Sequence, residues 1–279
     1  MILKYPLFAA LIACTLFSCK KEIATNEAVN SEPDQSNVLS TYQEQKSIYA
    51  TVDANIGGYL EALPVDYASR VNKRYPLLIT LHGQGELGNG TSDLYKVKVN
   101  AIPRLLEAHQ FPTSFVKGKK TFSFIVISPQ FKNWPSPDNI NDMVNYAIKK
   151  YRVDTTRIYV NGLSMGGGAL WDYIRIYGKR VAAATPICGA SFANTYKAQP
   201  IAANNVPIWA FHNDYDPSVP SSYTKNYVSY INSFSPAVPA KITIWPVAEH
   251  DAWTKATDPN YTENGKNIYE WMLTYKRKP

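Results

Sequence analysis

One short stretch limits what this chain can become more than any other. Gly162-Leu163-Ser164-Met165-Gly166 is a G-x-S-x-G pattern, and its flanks give it meaning. Arg157-Ile-Tyr-Val-Asn161 ahead of it has the β-branched and aromatic content of a strand, and Gly168-Ala-Leu-Trp-Asp-Tyr-Ile174 behind it has helical spacing. A strand that turns into a helix within so few residues brings the two backbones too close for a Cβ two positions either side of the serine. Glycines there, with a serine at the apex, are the sequence of a nucleophile elbow. Gly167 and Gly168 extend the run. A glycine inside a helix costs about 1 kcal/mol relative to alanine, and close packing is the reason to tolerate it. The start of the helix also places partial positive charge beside the serine, favouring a developing oxyanion. A glycine-rich turn of purely structural meaning is the alternative, and the strand and helix on either side argue against it.

The rest of the chain supplies the sheet such an elbow needs. Strand-like apolar runs are expected over 59–67, 76–81, 122–128, 157–161, 181–188, 207–211 and 241–246. The central ones are short, rich in Val and Ile, and apolar on both faces, as suits parallel strands covered on both sides. The clearest helix is expected over 138–151, where Ile140, Met143, Val144, Ala147, Ile148 and Tyr151 share a face behind an Asp138 cap. Others are expected over 101–109, after Ser164, over 221–234 and over 264–276. This alternation predicts an α/β fold with a mostly parallel central sheet and helices on both faces. With 279 residues, 45% of them hydrophobic, one substantial core and one domain over 56–279 are expected.

Ahead of that domain, residues 1–18 pair a Lys-bearing start with an apolar run too short for a permanent membrane span, which is the pattern of a signal peptide. Leu16-Phe17-Ser18-Cys19 resembles a bacterial lipobox, in which Cys19 becomes the lipid-modified first residue; Leu11-Ile12-Ala13-Cys14 is a weaker match. Residues 19–55, rich in Glu, Asn, Ser, Gln and Thr, are expected to form a lipidated N-terminus and flexible tether. The expected location is therefore export, with a lipid anchor to the cell envelope as the one link to a membrane. Of three cysteines only Cys188 remains in the domain, so no internal disulfide can form there, and its apolar setting reads as a small buried hydrophobe. The net charge of +7 comes from scattered Lys and Arg with no stripe or motif for nucleic acid.

A serine hydroxyl is a poor nucleophile until a base takes its proton, and after a nucleophile elbow the chain order is serine, acid, histidine. Four histidines are available. His82 and His109 precede Ser164, and His212 directly ends a strand, leaving no acid-bearing strand before it. His250, in Val247-Ala-Glu-His250 just after the last strand, remains as the base. The acid must come from the loop His212-Asn-Asp-Tyr-Asp-Pro-Ser-Val-Pro220, where Asp214 and Asp216 both qualify by position. Asp216 is preferred because the segment resembles the H-G-x-x-D-x-x-V-P pattern of many esterases, with Asn213 in the glycine place. Two backbone amides would stabilise an oxyanion: that of Met165 and one from the loop after 76–81, where Gln84 is the choice and Gly83 or Gly85 the alternatives. Gly83, Gly85 and Gly88 also spell G-x-G-x-x-G, but no second strand with a ribose-holding acid follows, so a dinucleotide cofactor is not implied. No metal-ligand motif is present either. Trp134, beyond the carboxyl end of a strand, and Trp253, close after His250, are candidates to line a substrate cleft or simply to pack a loop.

Taken together, Leu81-His-Gly-Gln-Gly-Glu-Leu-Gly88, Ile127-Ser-Pro-Gln130, Gly162-Leu-Ser-Met-Gly-Gly167, Pro186-Ile-Cys-Gly189, the Asp216 loop and Ala248-Glu-His250 make the chain, from about 58 to 275, resemble the bacterial secreted esterases. The group is that of carboxylesterases, polyhydroxybutyrate-depolymerase-like enzymes and feruloyl or acetylxylan esterases, near the dienelactone hydrolases. The resemblance implies the α/β-hydrolase fold, hydrolysis of carboxylic esters through an acyl-enzyme without a cofactor, and acetyl or feruloyl esters of polysaccharides as substrates. Dienelactone hydrolases proper use a cysteine nucleophile, which Ser164 argues against. Two other readings are a serine peptidase of prolyl-oligopeptidase type, whose accessory propeller this length excludes, and a noncatalytic carbohydrate-binding lipoprotein, disfavoured by a complete set of triad residues.

Overall fold

The computed structural model describes residues 40–277. Its ten strands and seven helices are, in chain order, β1 (Gln45–Ile48), β2 (Ile56–Ala62), β3 (Tyr75–Leu81), α1 (Ala101–Glu107), β4 (Phe115–Lys117), β5 (Lys120–Phe122), β6 (Ile125–Phe131) and α2 (Pro137–Lys150), then β7 (Val153–Leu163), α3 (Met165–Tyr177), β8 (Ala183–Ile187), α4 (Thr195–Ala203), β9 (Trp209–Asn213), α5 (Ser221–Ser233), β10 (Lys241–Trp245), α6 (Trp253–Ala256) and α7 (Ile268–Met272). Eight strands form one sheet in the order β1-β2-β6-β3-β7-β8-β9-β10. The first two pairings are antiparallel, and every pairing from β6 to β10 is parallel. This is the mostly parallel α/β sheet that the alternating pattern predicts.

The central strands need apolar side chains on both faces because both faces are covered. In β3, Leu77, Ile79 and Leu81 point into one core with α2, α3 and α5, while Leu78 points into a second core with α1 and α7. This alternation has the strand period of two. Two stacked rings, Trp171 of α3 and Tyr227 of α5 with centroids 4.3 Å apart, fix the helices of the first face to each other.

Several boundaries differ from the sequence reading, each for a physical reason. The helix expected behind Asp138 starts at Pro137, and Ser136 caps it: its hydroxyl accepts the amide of Asn139, whose side chain returns the contact in a capping box. The strand expected over 59–67 begins at Ile56 and ends at Ala62, just ahead of Pro64, which has no N–H for a ladder. The run over 122–128 divides: Phe122 closes a two-strand hairpin, β4 with β5, that turns at Gly118 (φ 61°), and the sheet strand runs on from Ile125 to Phe131. The helix expected over 264–276 is only Ile268–Met272, because Glu263 and Lys266 bridge and Asn267 caps.

The largest correction concerns the tether. The signal segment, Cys14 and Cys19 lie outside the described residues, but ordered chain begins at least as early as residue 40, not 56. β1 pairs with β2 from Gln45↔Ala62 to Ile48↔Tyr59. Just before it, buried Gln43 donates through Nε2 to the carbonyls of Ala62 (2.8 Å) and Phe124 (2.7 Å). Polar composition disguised an edge strand, whose outer face needs no apolar residues. A chain beginning at residue 56 is therefore expected to unfold at least about 2 kcal/mol more easily in urea than one beginning at residue 40, since two buried carbonyls lose their donor. Equal midpoints would return 40–55 to the tether.

Candidate active site

The elbow between β7 and α3 forms as its glycines require. A Cβ on Gly162 would lie 2.4 Å from the Gly166 carbonyl oxygen, and one on Gly166 would lie 2.3 Å from that of Leu81. Ser164 takes φ 50° and ψ −115°, a conformation that costs a non-glycine residue about 1–3 kcal/mol. The surroundings hold it there. Its N–H donates to the Ile187 carbonyl at 2.9 Å, and its own carbonyl accepts the amides of Gly168 (2.9 Å) and Ala190 (3.0 Å).

The loop after β10 brings His250 to this serine, with Nε2 2.8 Å from Ser164 Oγ. On the far side of the ring, Nδ1 lies 2.6 Å from Asp216 Oδ2. An ionised carboxylate only accepts, so Nδ1 carries the proton and Nε2 is left free to accept the serine hydroxyl. The Asp216 side chain is fully buried. Burial alone would raise its pKa, but the hydrogen bonds from His250 and from the amides of Val219 (3.0 Å) and Ser218 (2.8 Å) outweigh it and hold the carboxyl below its ordinary value. Asp214 faces elsewhere, accepting from Ser221 Oγ at 3.0 Å and from Lys225. Of the two candidate acids, Asp216 is the one that reaches the imidazole.

The two amides expected to face an oxyanion, those of Met165 and Gln84, donate to no protein acceptor among the described residues. Both residues line one open cleft of about 410 Å³ with Ser164, His250, Trp134 and Trp253. Trp134 is 48% exposed. Trp253 and His250 meet edge to face, with centroids 5.1 Å apart at 88°. The glycine-rich loop after β3 leads into the short 3-10 turns Gln84–Glu86 and Leu94–Val99 rather than opening a helix, unlike a dinucleotide site.

Four contributors escaped the sequence reading. His212, set aside as a base, is fully buried behind the acid: Nε2 donates to the Val219 carbonyl at 2.9 Å, lies 3.2 Å from Asp216 Oδ2, and Nδ1 accepts from Thr224 Oγ1 at 2.7 Å. Burial pushes its pKa down, so it holds the acid loop as a neutral ring. Asn213 ties β9 to the histidine loop by donating to the Glu249 carbonyl at 2.9 Å. His82, with its pKa pushed down to about 4 by burial, accepts the Phe131 amide at Nε2 (3.0 Å) and donates from Nδ1 to the Gly83 carbonyl (2.6 Å), fixing the oxyanion loop. Cys188 donates its thiol to the His250 carbonyl at 3.2 Å, and burial pushes that thiol up to about 12. The signal for His212 is present in the H-x-x-x-D spacing, and Asn213 stands in the glycine place of the same pattern; nothing in the sequence marked His82 or Cys188 for these contacts. Ligand atoms of Cys188, His212 and Asp216 lie within 4.8 Å of one another, but the thiol stays protonated and both His212 nitrogens are engaged, so this trio does not offer a metal a ready set of ligands.

Comparison with known proteins agrees with this geometry. The bifunctional acetylxylan esterase/xylanase XynS20E of Neocallimastix patriciarum is 23% identical over 198 residues, 70% of this chain; the chain spans only 26% of that relative. Among solved structures, a ferulic acid esterase superposes with TM-score 0.56 at 16% identity, covering 77% of this chain and 95% of the other. The fluorophosphonate-binding serine hydrolase FphF of Staphylococcus aureus gives TM-score 0.58 at 15% identity, covering 83% and 99%. At these identities the likeness establishes the fold. The family model described as phospholipase/carboxylesterase matches residues 68–257, a span that holds the elbow, the acid loop and the histidine. The chain belongs to the phospholipase/carboxylesterase family of α/β-hydrolases.

Proposed function

We propose that this family member is a serine esterase that works through an acyl-enzyme, with Ser164 as nucleophile, His250 as base and Asp216 as the acid that orients it. The observation that carries the reading is the unbroken relay from buried Asp216 through His250 to Ser164, at 2.6 and 2.8 Å, on a strained elbow. His250 Nε2 takes the hydroxyl proton as Ser164 Oγ attacks the ester carbonyl, and the amides of Met165 and Gln84 receive the oxyanion. Collapse breaks the ester C–O bond, and the imidazolium returns its proton to the departing alcohol. Water, deprotonated by the same imidazole, then releases the acid and restores the serine.

For substrate, we propose acetyl or feruloyl esters carried on polysaccharides. The acetylxylan esterase relative and the ferulic acid esterase neighbour support this class. So does the cleft, which is open and flanked by Trp134 and Trp253, flat rings that can stack on sugar or aromatic acid. Export and lipidation at Cys19 complete the proposal, since polymeric substrates lie outside the cell; they rest on the leader-like sequence alone.

Asp216→Asn is expected to lower kcat about 10⁴-fold on p-nitrophenyl acetate with folding intact, by destroying the productive imidazole tautomer. Asp214→Asn should stay within a few-fold of the native rate; an equal loss in both variants would reverse the acid assignment. On a substrate panel, acetylated or feruloylated xylan should be deacylated faster than long-chain lipid esters or peptides, and the opposite ranking would defeat the polysaccharide class. In cells given a palmitate analogue, label should appear on the native chain and vanish in Cys19→Ala. No label on the native chain removes the anchor.

A further inference from the structure

The oxyanion loop carries a buried acid that the reaction above does not use. Glu86 closes the 3-10 turn Gln84–Glu86, and its side chain is only 7% exposed although it borders the cleft. Its Oε1 accepts from Asn100 Nδ2. Asn100 Oδ1 in turn accepts from Trp253 Nε1 at 3.2 Å. The direction of this chain is not arbitrary. Indole N–H can only donate, so Trp253 requires the Asn100 oxygen to face it, and the Asn100 amide nitrogen must then face Glu86. The Trp253 ring packs perpendicular to that of His250.

The other carboxyl oxygen, Oε2, has no hydrogen-bond partner among the described residues. It lies beneath the oxyanion loop, so close that a Cβ on Gly83 would meet it at 3.0 Å and Ser164 Cβ at 3.6 Å. His82, the one titratable ring close by, has Nδ1 3.9 Å from Oε2 and spends its proton on the Gly83 carbonyl. Burial raises the Glu86 pKa, against the opposing hydrogen bonds from Asn100 and from the loop backbone.

We propose that Glu86 is a positioning residue whose carboxyl, accepting from Asn100, ties the oxyanion loop through Asn100 and Trp253 to the wall that carries His250. The bridge fixes the spacing between the Gln84 amide and the imidazole across the cleft. Its effect falls on the transition state, because an oxyanion donor displaced by even 1 Å loses most of its contribution while a loosely held ester still binds. The inference rests on the triad reading above.

The test compares Glu86→Ala, Asn100→Leu, the double variant and Glu86→Gln with the native enzyme on p-nitrophenyl acetate, with near-ultraviolet circular dichroism as a check on folding. Glu86→Ala and Asn100→Leu should each lower kcat at least about tenfold with KM within about threefold. The double variant should be no slower than the worse single, since both break one chain of bonds. Glu86→Gln, whose amide oxygen still accepts from Asn100, should restore kcat to within about threefold of native. A native-like kcat in folded Glu86→Ala, a Glu86→Gln as slow as Glu86→Ala, or additive losses in the double variant would each overturn the bridge while leaving the esterase reading standing. If Glu86→Ala fails to fold, Asn100→Leu and Glu86→Gln decide the matter by the same criteria. Absence of turnover by the native enzyme would overturn the esterase reading and this inference with it.

Discussion

The reactive edge of the molecule depends on one close approach, that of the end of β7 to the start of α3. A Cβ on Gly162 would strike the backbone of α3, and one on Gly166 the backbone at the end of β3, so glycine stands on both sides of Ser164. That approach forces Ser164 to a positive φ and turns its hydroxyl out of the sheet toward the carboxyl ends of the strands. Parallel strands bring the loops after β3, β8, β9 and β10 to that same edge, which is how residues far apart in sequence reach one hydroxyl. The fold's two large apolar cores are what keep the elbow from relaxing, since β7 contributes buried side chains to both and α3 to the first.

Charge is confined at this edge with some care. One carboxylate, Asp216, is kept ionised by His250 and two loop amides, and it lies behind the imidazole rather than beside the reacting carbonyl. The other buried groups nearby, His82, His212 and the thiol of Cys188, are all held neutral by burial. Each acts as a hydrogen-bonding spacer: His82 under the oxyanion loop, His212 under the acid loop, and Cys188 on the histidine backbone. On the proposed mechanism, such a site meets the one charge that develops, the oxyanion, with backbone dipoles instead of full charges.

Much of this is legible in the sequence. Ser164 announced itself through its flanking glycines and its place between strand and helix. His250 followed by elimination among four histidines, and Asp216 from its spacing after His212. The central strands were visible because burial on both faces leaves uninterrupted apolar runs. What stayed hidden shares one cause, which is that polar residues defined by distant partners leave no local pattern. β1 reads as tether because its outer face is solvated; Asn100 and Glu86 meet across fourteen residues of loop. Ser136 was passed over as a cap because Asp138 stood nearer the first apolar residue of α2. Leader and lipid signals are read from composition alone, and the described residues do not include them.

The claim on which the account stands is that one hydroxyl, and only that one, is made nucleophilic by one imidazole. Reaction with a fluorophosphonate followed by peptide mapping by mass spectrometry addresses it directly. The account predicts a single adduct, on the peptide that contains Ser164, formed rapidly in the native chain and abolished by Ser164→Ala, and slowed by orders of magnitude in His250→Ala. An adduct on any other residue, or equally fast labelling without the imidazole, would contradict it.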